Sequence, residues 1–119
     1  MFVDDEKDVL LSFEQTISKS LIDYEFIGVS SGEECLERLT NGEIPDVIFL
    51  DIMMPRKNGY EVCQELKGNP KTSDIHIVML TAKGQETDKA KAMDTKADEF
   101  ITKPFSPIMI VERLKELFS

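Results

Sequence analysis

Short apolar runs alternate along this chain with stretches whose apolar residues recur every three or four positions. The runs are Phe2-Val3, Phe26 to Val29, Val47 to Leu50, Ile75 to Leu80 and Phe100-Ile101. The three in the middle are rich in β-branched and aromatic residues, as strands buried on both faces are. Between the runs, Val9, Leu10, Phe13 and Ile17 share one helical face, as do Cys35, Leu36 and Leu39, and then Val62, Cys63 and Leu66. Ile110, Val111, Leu114, Leu117 and Phe118 make the last such face. The stretch from Gln85 to Thr95 is also helical in pattern, but its apolar face is little more than Ala90, Ala92 and Met93. It is expected to bury less surface than the others and to be the most easily displaced element. This alternation predicts an α/β fold in which a parallel sheet is covered by helices on both faces, through right-handed crossovers.

Residues that start and stop helices agree with this phasing. Ser31 precedes Gly32-Glu33-Glu34 as an N-cap with acids in the first turn, and Ser106 precedes Pro107 at a first helical position. Asn41-Gly42 closes the second helix and Pro45 blocks its continuation. A chain of 119 residues without repeats or a low-complexity linker is expected to be a single domain, 1–119. Fourteen basic against 23 acidic residues give a net charge of −9, which argues against a nucleic-acid or anionic-membrane surface. No apolar run approaches a membrane span, and Met1-Phe2-Val3 leads directly into an acidic stretch rather than a signal peptide. Cys35 and Cys63 form no metal-binding or redox pair and are expected to pack in the core, which suits a reducing cytoplasm.

In open parallel sheets, functional groups gather beyond the carboxyl ends of the strands. Asp4-Asp5 follows the first run, Asp51 the third, Thr81 the fourth, and Lys103-Pro104 comes just after the fifth. Each has an ordinary reading on its own. Asp4 or Asp5 would cap a helix, Asp51 would sit in a turn before Pro55, Thr81 would end a strand, and Lys103 would be surface. His76 reads as a strand-start residue without a role. Joint placement changes the balance, because three carboxylates, a hydroxyl and an ammonium are delivered to one edge. Three crowded carboxylates repel each other, and Lys103 offsets only one charge. An all-oxygen site with that deficit suits magnesium, which keeps coordination positions open for water and phosphate. A phosphoryl group held there would be open to attack by one carboxylate, with Thr81 as hydrogen-bond donor.

These residues resemble the receiver domains of two-component response regulators. The motifs are Val3-Asp4-Asp5-Glu6, Asp51-Ile52-Met53-Met54-Pro55 with Gly59 eight residues beyond the aspartate, Thr81-Ala82-Lys83, and Phe100-Ile101-Thr102-Lys103-Pro104-Phe105. In order along the whole chain they are specific, although each alone is short. The resemblance implies a flavodoxin-like five-stranded parallel sheet of order 2-1-3-4-5 flanked by five helices. It implies transfer of a phosphoryl group from a histidine kinase or histidine phosphotransfer protein onto Asp51. Asp5, Asp51 and the backbone carbonyl of Met53 would bind magnesium directly, and Asp4 mainly through water. Lys103 would pair with the phosphoryl oxygens. Thr81 and Phe100 match the family's switch pair, which on phosphorylation would change the face formed by the 85–95 helix, the fifth strand and the last helix. An unknown downstream protein would read that face, and a homodimer formed on phosphorylation is a further expected partner.

The sequence departs from the family in several places. Only Met1, Phe2 and Val3 precede Asp4, so the first strand is abbreviated. Lys96 stands where the family usually has glycine, at a position that often needs a left-handed backbone. Phe100 lacks the hydroxyl of the common tyrosine, and Met53 and Lys83 occupy positions that vary in the family and shape water access. Two other functions compete with a phosphorylatable switch lacking its own output domain. An aspartate-nucleophile phosphatase would need a general acid two residues after Asp51, where Met53 stands. A receiver-like binding module that is never phosphorylated would lack one of the acids or the lysine, and all are present. A flavin protein is disfavoured because Asp4-Asp5 replaces a phosphate-binding loop after the first strand.

Overall fold

A computed structural model of the chain describes residues 1–19, 25–52, 54, 58–81, 96–102 and 106–118, with the side chain of the last of these left out. In chain order the elements are β1 (Phe2–Val3), α1 (Lys7–Lys19), β2 (Gly28–Val29), α2 (Gly32–Thr40), β3 (Val47–Asp51), α3 (Gly59–Lys67), β4 (His76–Thr81), β5 (Glu99–Thr102) and a C-terminal helix (Pro107–Phe118). The five strands form one sheet of order β2-β1-β3-β4-β5, and every neighbouring pair is parallel. This is the α/β architecture that the alternation predicts and the strand order that the family resemblance implies. Four helices lie among the described residues. The helix expected from Gln85 to Thr95 lies outside them.

Alternation along the strands divides the core in two. Val3, Ile48, Leu50, Ile77 and Met79 face α2 and α3, where they meet Cys35, Leu39, Val62, Cys63 and Leu66. Phe2, Val47, Phe49, Val78 and Leu80 face the other way and meet Phe13 and Ile17 of α1 and Ile110 and Leu114 of the C-terminal helix. Phe2 stacks on Phe13 with ring centroids 4.1 Å apart and lies 5.9 Å from Phe49, which ties α1 to the middle of the sheet. All five residues of β3 are buried, as expected of a central strand. Both cysteines are buried, and neither is in a disulfide. Burial pushes the Cys35 thiol up to about 12, so it behaves as a small apolar side chain.

The caps follow the sequence. The Ser31 side chain accepts from the Glu34 N–H at 3.1 Å, and Ser106 Oγ accepts from the Met109 N–H at 3.3 Å. Asn41 caps the end of α2, and Gly42 takes φ +94, a conformation that favours glycine. A capping box at the start of α3, Asn58 with Glu61, adds a further start signal that the periodicity did not single out.

Strand ends differ from the apolar runs in one informative way. β3, β4 and β5 each run on into a polar residue, Asp51, Thr81 and Thr102. Ladder pairing continues past the end of apolar burial, so these groups are held by rigid strand rather than by loop. β1 itself gains pairing on both flanks: Phe2 N–H donates to Ile27 at 2.9 Å, Asp4 N–H to Val29 at 3.0 Å, and Phe49 N–H to Met1 at 2.9 Å.

At the opposite end of the sheet, charged groups fix the entry of β5. The Lys67 ammonium donates to the carbonyls of Ser73 and Ile75 at 3.1 and 2.8 Å and pairs with Asp98 at 2.7 Å. Asp98 also accepts from the Ile77 N–H at 2.8 Å. Burial favours the neutral acid, but these donors outweigh it and hold the Asp98 carboxyl below its usual range. Glu99 is held low in the same way, with Arg113 at 2.6 Å and His76 at 2.6 Å overcoming its burial. His76 is therefore the first residue of β4, as expected, but it has a partner. The turn into this cluster places Lys96 at φ 61, the left-handed conformation anticipated for a site that usually carries glycine.

Two outcomes follow for stability. Left-handed strain of about 1–2 kcal/mol is partly offset by the extra freedom that glycine has in the unfolded chain, so Lys96→Gly should stabilise by about 0.5–1 kcal/mol in urea unfolding. Asp98 and Glu99 titrate lower when folded, so their stabilisation is present above the usual carboxylate range and is lost as pH falls through their folded values. Asp98→Asn should cost about 1–3 kcal/mol at pH 7, because it leaves the Lys67 ammonium with carbonyls alone. The same variant should show a shallower loss of stability between about pH 5 and pH 3 than the parent in parallel denaturant titrations.

Candidate functional site

Asp4 and Asp5 follow β1 directly, and Asp51 ends β3, the strand hydrogen-bonded beside it. Carboxylate oxygens of the three residues lie within 4.8 Å of one another. Asp4 and Asp51 are only 1% and 3% exposed, whereas Asp5 is open to solvent. The strand order produces this crowding. β1 and β3 are neighbours in space although the residues that end them are nearly fifty positions apart. Asp4 Oδ1 accepts from the Glu6 N–H at 2.9 Å, which turns the chain from the strand into α1. The helix-cap reading of Asp4 is thus compatible with a place in the acidic group.

Two buried carboxylates with a third at the rim are a costly arrangement without a counter-charge. Three hard oxygen donors within 4.8 Å, closed on one side by the sheet and open to solvent at Asp5, fit a divalent cation that retains water. The same donor set offers nothing to a soft metal.

Thr81 ends β4, and its hydroxyl lies 3.4 Å from that of Thr102, its ladder partner on β5. Asp51 is paired in register with Leu80, so Thr81 stands one residue further along the same edge. Phe100 lies two residues before Thr102 and is 42% exposed. Met53 and Lys103, the other expected site residues, lie outside the described residues, as does Lys83. The described residues therefore bring together Asp4, Asp5 and Asp51, with Thr81 on the adjoining strand.

Sequence reasoning quoted Gly59 only as part of a motif, and the structure gives it a physical reason. A Cβ at this position would lie 2.5 Å from the Asp51 carbonyl oxygen and 2.8 Å from the Ile52 Cα. The Gly59 N–H also donates to the Ile52 carbonyl at 3.1 Å. The first turn of α3 thus rests on the backbone that carries Asp51, which only a residue without a side chain allows. The signal lay in the fixed eight-residue spacing from the aspartate.

Residues 1–115 match the response regulator receiver domain family. The chain belongs to that family. Among curated relatives, the probable transcriptional regulator ycf27 of Guillardia theta is 42% identical over 115 residues, 97% of this chain and 43% of the relative. The alkaline phosphatase synthesis transcriptional regulatory protein PhoP of Bacillus subtilis is 38% identical over 117 residues, 98% of this chain and 47% of the relative. The receiver chain thus spans less than half the length of these relatives. Among solved structures, the signal receiver domain of a signal transduction histidine kinase from Syntrophus aciditrophicus aligns with a TM-score of 0.85 at 28% identity, covering 98% of this chain and 86% of that one. Receiver domains are signalling domains of two-component systems, and the acidic group of this receiver sits at the carboxyl edge of its sheet. No helix among the described residues is long and apolar enough to cross a membrane.

Gly59→Ala should destabilise this receiver by about 1–3 kcal/mol, because the backbone atoms it meets cannot move aside as a side chain would. The same substitution should shift the amide resonances of Asp51 and Ile52 in a heteronuclear NMR spectrum. Parent-like stability with unmoved resonances would show that α3 does not bear on the Asp51 backbone.

Proposed function

We propose that residues 1–119 form a single receiver domain that accepts a phosphoryl group on Asp51 from a histidine kinase or histidine phosphotransfer protein. The observation that carries this reading is the acidic group itself, Asp4, Asp5 and Asp51 within 4.8 Å at the end of adjacent parallel strands. Asp4, Asp5, Asp51 and the Met53 carbonyl would hold magnesium, which when bound supplies positive charge to the phosphoryl oxygens. An Asp51 carboxylate oxygen forms the new O–P bond while the P–N bond to the donor imidazole breaks and its electron pair stays with the nitrogen. Rigid strand pairing fixes Asp51, so little reorganisation is needed at the moment of transfer. Thr81 donates a hydrogen bond to the transferred group, and Lys103 pairs with its oxygens.

The signal leaves through Thr81 and Phe100. On this reading Thr81 moves toward the phosphoryl group, and Phe100 turns into the space it leaves. The face built by the 85–95 stretch, β5 and the C-terminal helix then changes partner, whether a downstream protein or a second copy. A partly exposed Phe100 next to the Thr81–Thr102 step supports that route. The domain turns over no external substrate, because Met53 offers no general acid for hydrolysis. Buried cysteines outside any disulfide suit a cytoplasmic protein. A net charge of −9 disfavours contact with DNA by this domain, so control of transcription, the role in the relatives' names, would be exercised through something else.

Intact-protein mass spectrometry with a small phosphodonor and magnesium tests the reading. The parent should gain one phosphoryl group and Asp51→Ala none. Asp5→Ala, at an exposed position that should leave folding intact, should require more magnesium for the same labelling. Full labelling of Asp51→Ala would refute the site.

A further inference from the structure

The chain has three asparagines, and the residue after each decides its chemistry. Asn41 and Asn58 precede glycine, whereas Asn69 precedes Pro70. A glycine nitrogen is unhindered and can swing round to attack the carboxamide of the asparagine before it. The N–Cγ bond forms, the Cγ–Nδ2 bond breaks, and the side-chain nitrogen leaves as ammonia with the proton of the glycine N–H. Water then opens the cyclic imide at either carbonyl, giving aspartate or isoaspartate. The Pro70 nitrogen carries no proton to give up, so Asn69 does not close this ring.

The fold treats the two Asn-Gly pairs differently. Asn41 is exposed at the end of α2, and a Cβ on Gly42 would meet nothing within 4 Å. The turn is held from the Gly42 N–H to the Leu39 carbonyl and from the Glu43 N–H to the Arg38 carbonyl, each at 3.1 Å. Both acceptors lie in the last turn of α2, and helix ends fray at little cost. Asn58 stands instead at the start of α3. Its Oδ1 accepts from the Glu61 N–H at 3.0 Å, which turns the carboxamide toward the helix. The Gly59 nitrogen, which would have to attack it, donates inward to the Ile52 carbonyl at 3.1 Å. Gly59, Tyr60 and Val62 are buried, and Gly59 lies too close to the Asp51 carbonyl to admit a Cβ. Bringing that nitrogen to the Asn58 Cγ therefore means lifting the first turn of α3 off the backbone of Asp51 and Ile52.

We propose that Asn41 is a site of spontaneous deamidation in the folded protein, and that the seating of α3 on the Asp51 backbone protects Asn58 from the same reaction. Conversion of Asn41 to aspartate adds a negative charge at the C-terminal end of α2, where the helix dipole disfavours it. Isoaspartate at that position lengthens the main chain in an open turn. Isoaspartate at Asn58 would insert a carbon next to the contact between Gly59 and Asp51, so protection there also preserves the acidic edge.

The 119-residue protein can be incubated in mildly alkaline buffer, folded and in guanidinium chloride, and then mapped by peptide mass spectrometry that separates asparagine, aspartate and isoaspartate forms. In guanidinium chloride Asn41 and Asn58 should react at similar rates, and Asn69 should stay intact. In the folded protein Asn41 should react and Asn58 should lag behind it by about ten-fold or more, because its opening takes a larger part of the structure than fraying does. Urea below the unfolding transition should speed the reaction of Asn58 and leave that of Asn41 nearly unchanged, since only the former exposes buried surface. The proposal is overturned if Asn41 stays intact in the folded protein while reacting in guanidinium chloride, if folded Asn58 keeps pace with Asn41, or if urea leaves the rate at Asn58 unmoved. None of these measurements depends on phosphoryl transfer to Asp51.

Discussion

Like-charge crowding at one edge of the sheet is the constraint around which this receiver is organised. Asp4 and Asp51 are almost fully buried and share a site with Asp5, with oxygens inside 4.8 Å. Left to itself, such a group would favour separation or protonation. It is held together because β1 and β3 are hydrogen-bonded neighbours whose register places Val3 beside Leu50. Backbone pairing and the apolar packing of Val3, Ile48 and Leu50 thus offset an electrostatic cost. What makes the site unfavourable without charge compensation is also what suits it, on the proposed reading, to a hard dication and a phosphoryl group.

The two ends of the sheet solve different electrostatic problems. The carboxyl edge concentrates negative charge and leaves one side open. The opposite edge links polar groups across elements, with Lys67 paired to Asp98, and Glu99 bonded to both His76 and Arg113. These pairs fix where β5 begins, and so where Thr102 lies relative to Thr81. Gly59 does comparable work at the functional edge, since α3 can rest on the Asp51 backbone only where no side chain intervenes. Rigid anchoring below the site suits a domain whose proposed signal depends on small displacements near Thr81 and Phe100.

Local signals were legible residue by residue. Ser31, Ser106 and Asn41-Gly42 act where the sequence placed them, because caps and left-handed turns depend on chemistry within a few residues. Lys96 takes the strained conformation that its place in the motif suggested. The ion pairs were not legible. Lys67 and Asp98 are 31 positions apart and on separate elements, and no periodicity links two such charged residues. His76 was read as a strand start without a role for the same reason, since its partner Glu99 comes from another strand.

Among the described residues, the sequence alone determined which segments are strands and helices, which faces they bury and that Asp51 and Thr81 stand at strand ends, because period and capping are local properties of the chain. Tertiary structure decided how tightly those ends converge, that Asp4 and Asp51 are buried while Asp5 is open, and that Gly59 must lie against Asp51. These are distances and exposures, set by strand order, ladder register and the close packing of elements that lie far apart in the chain.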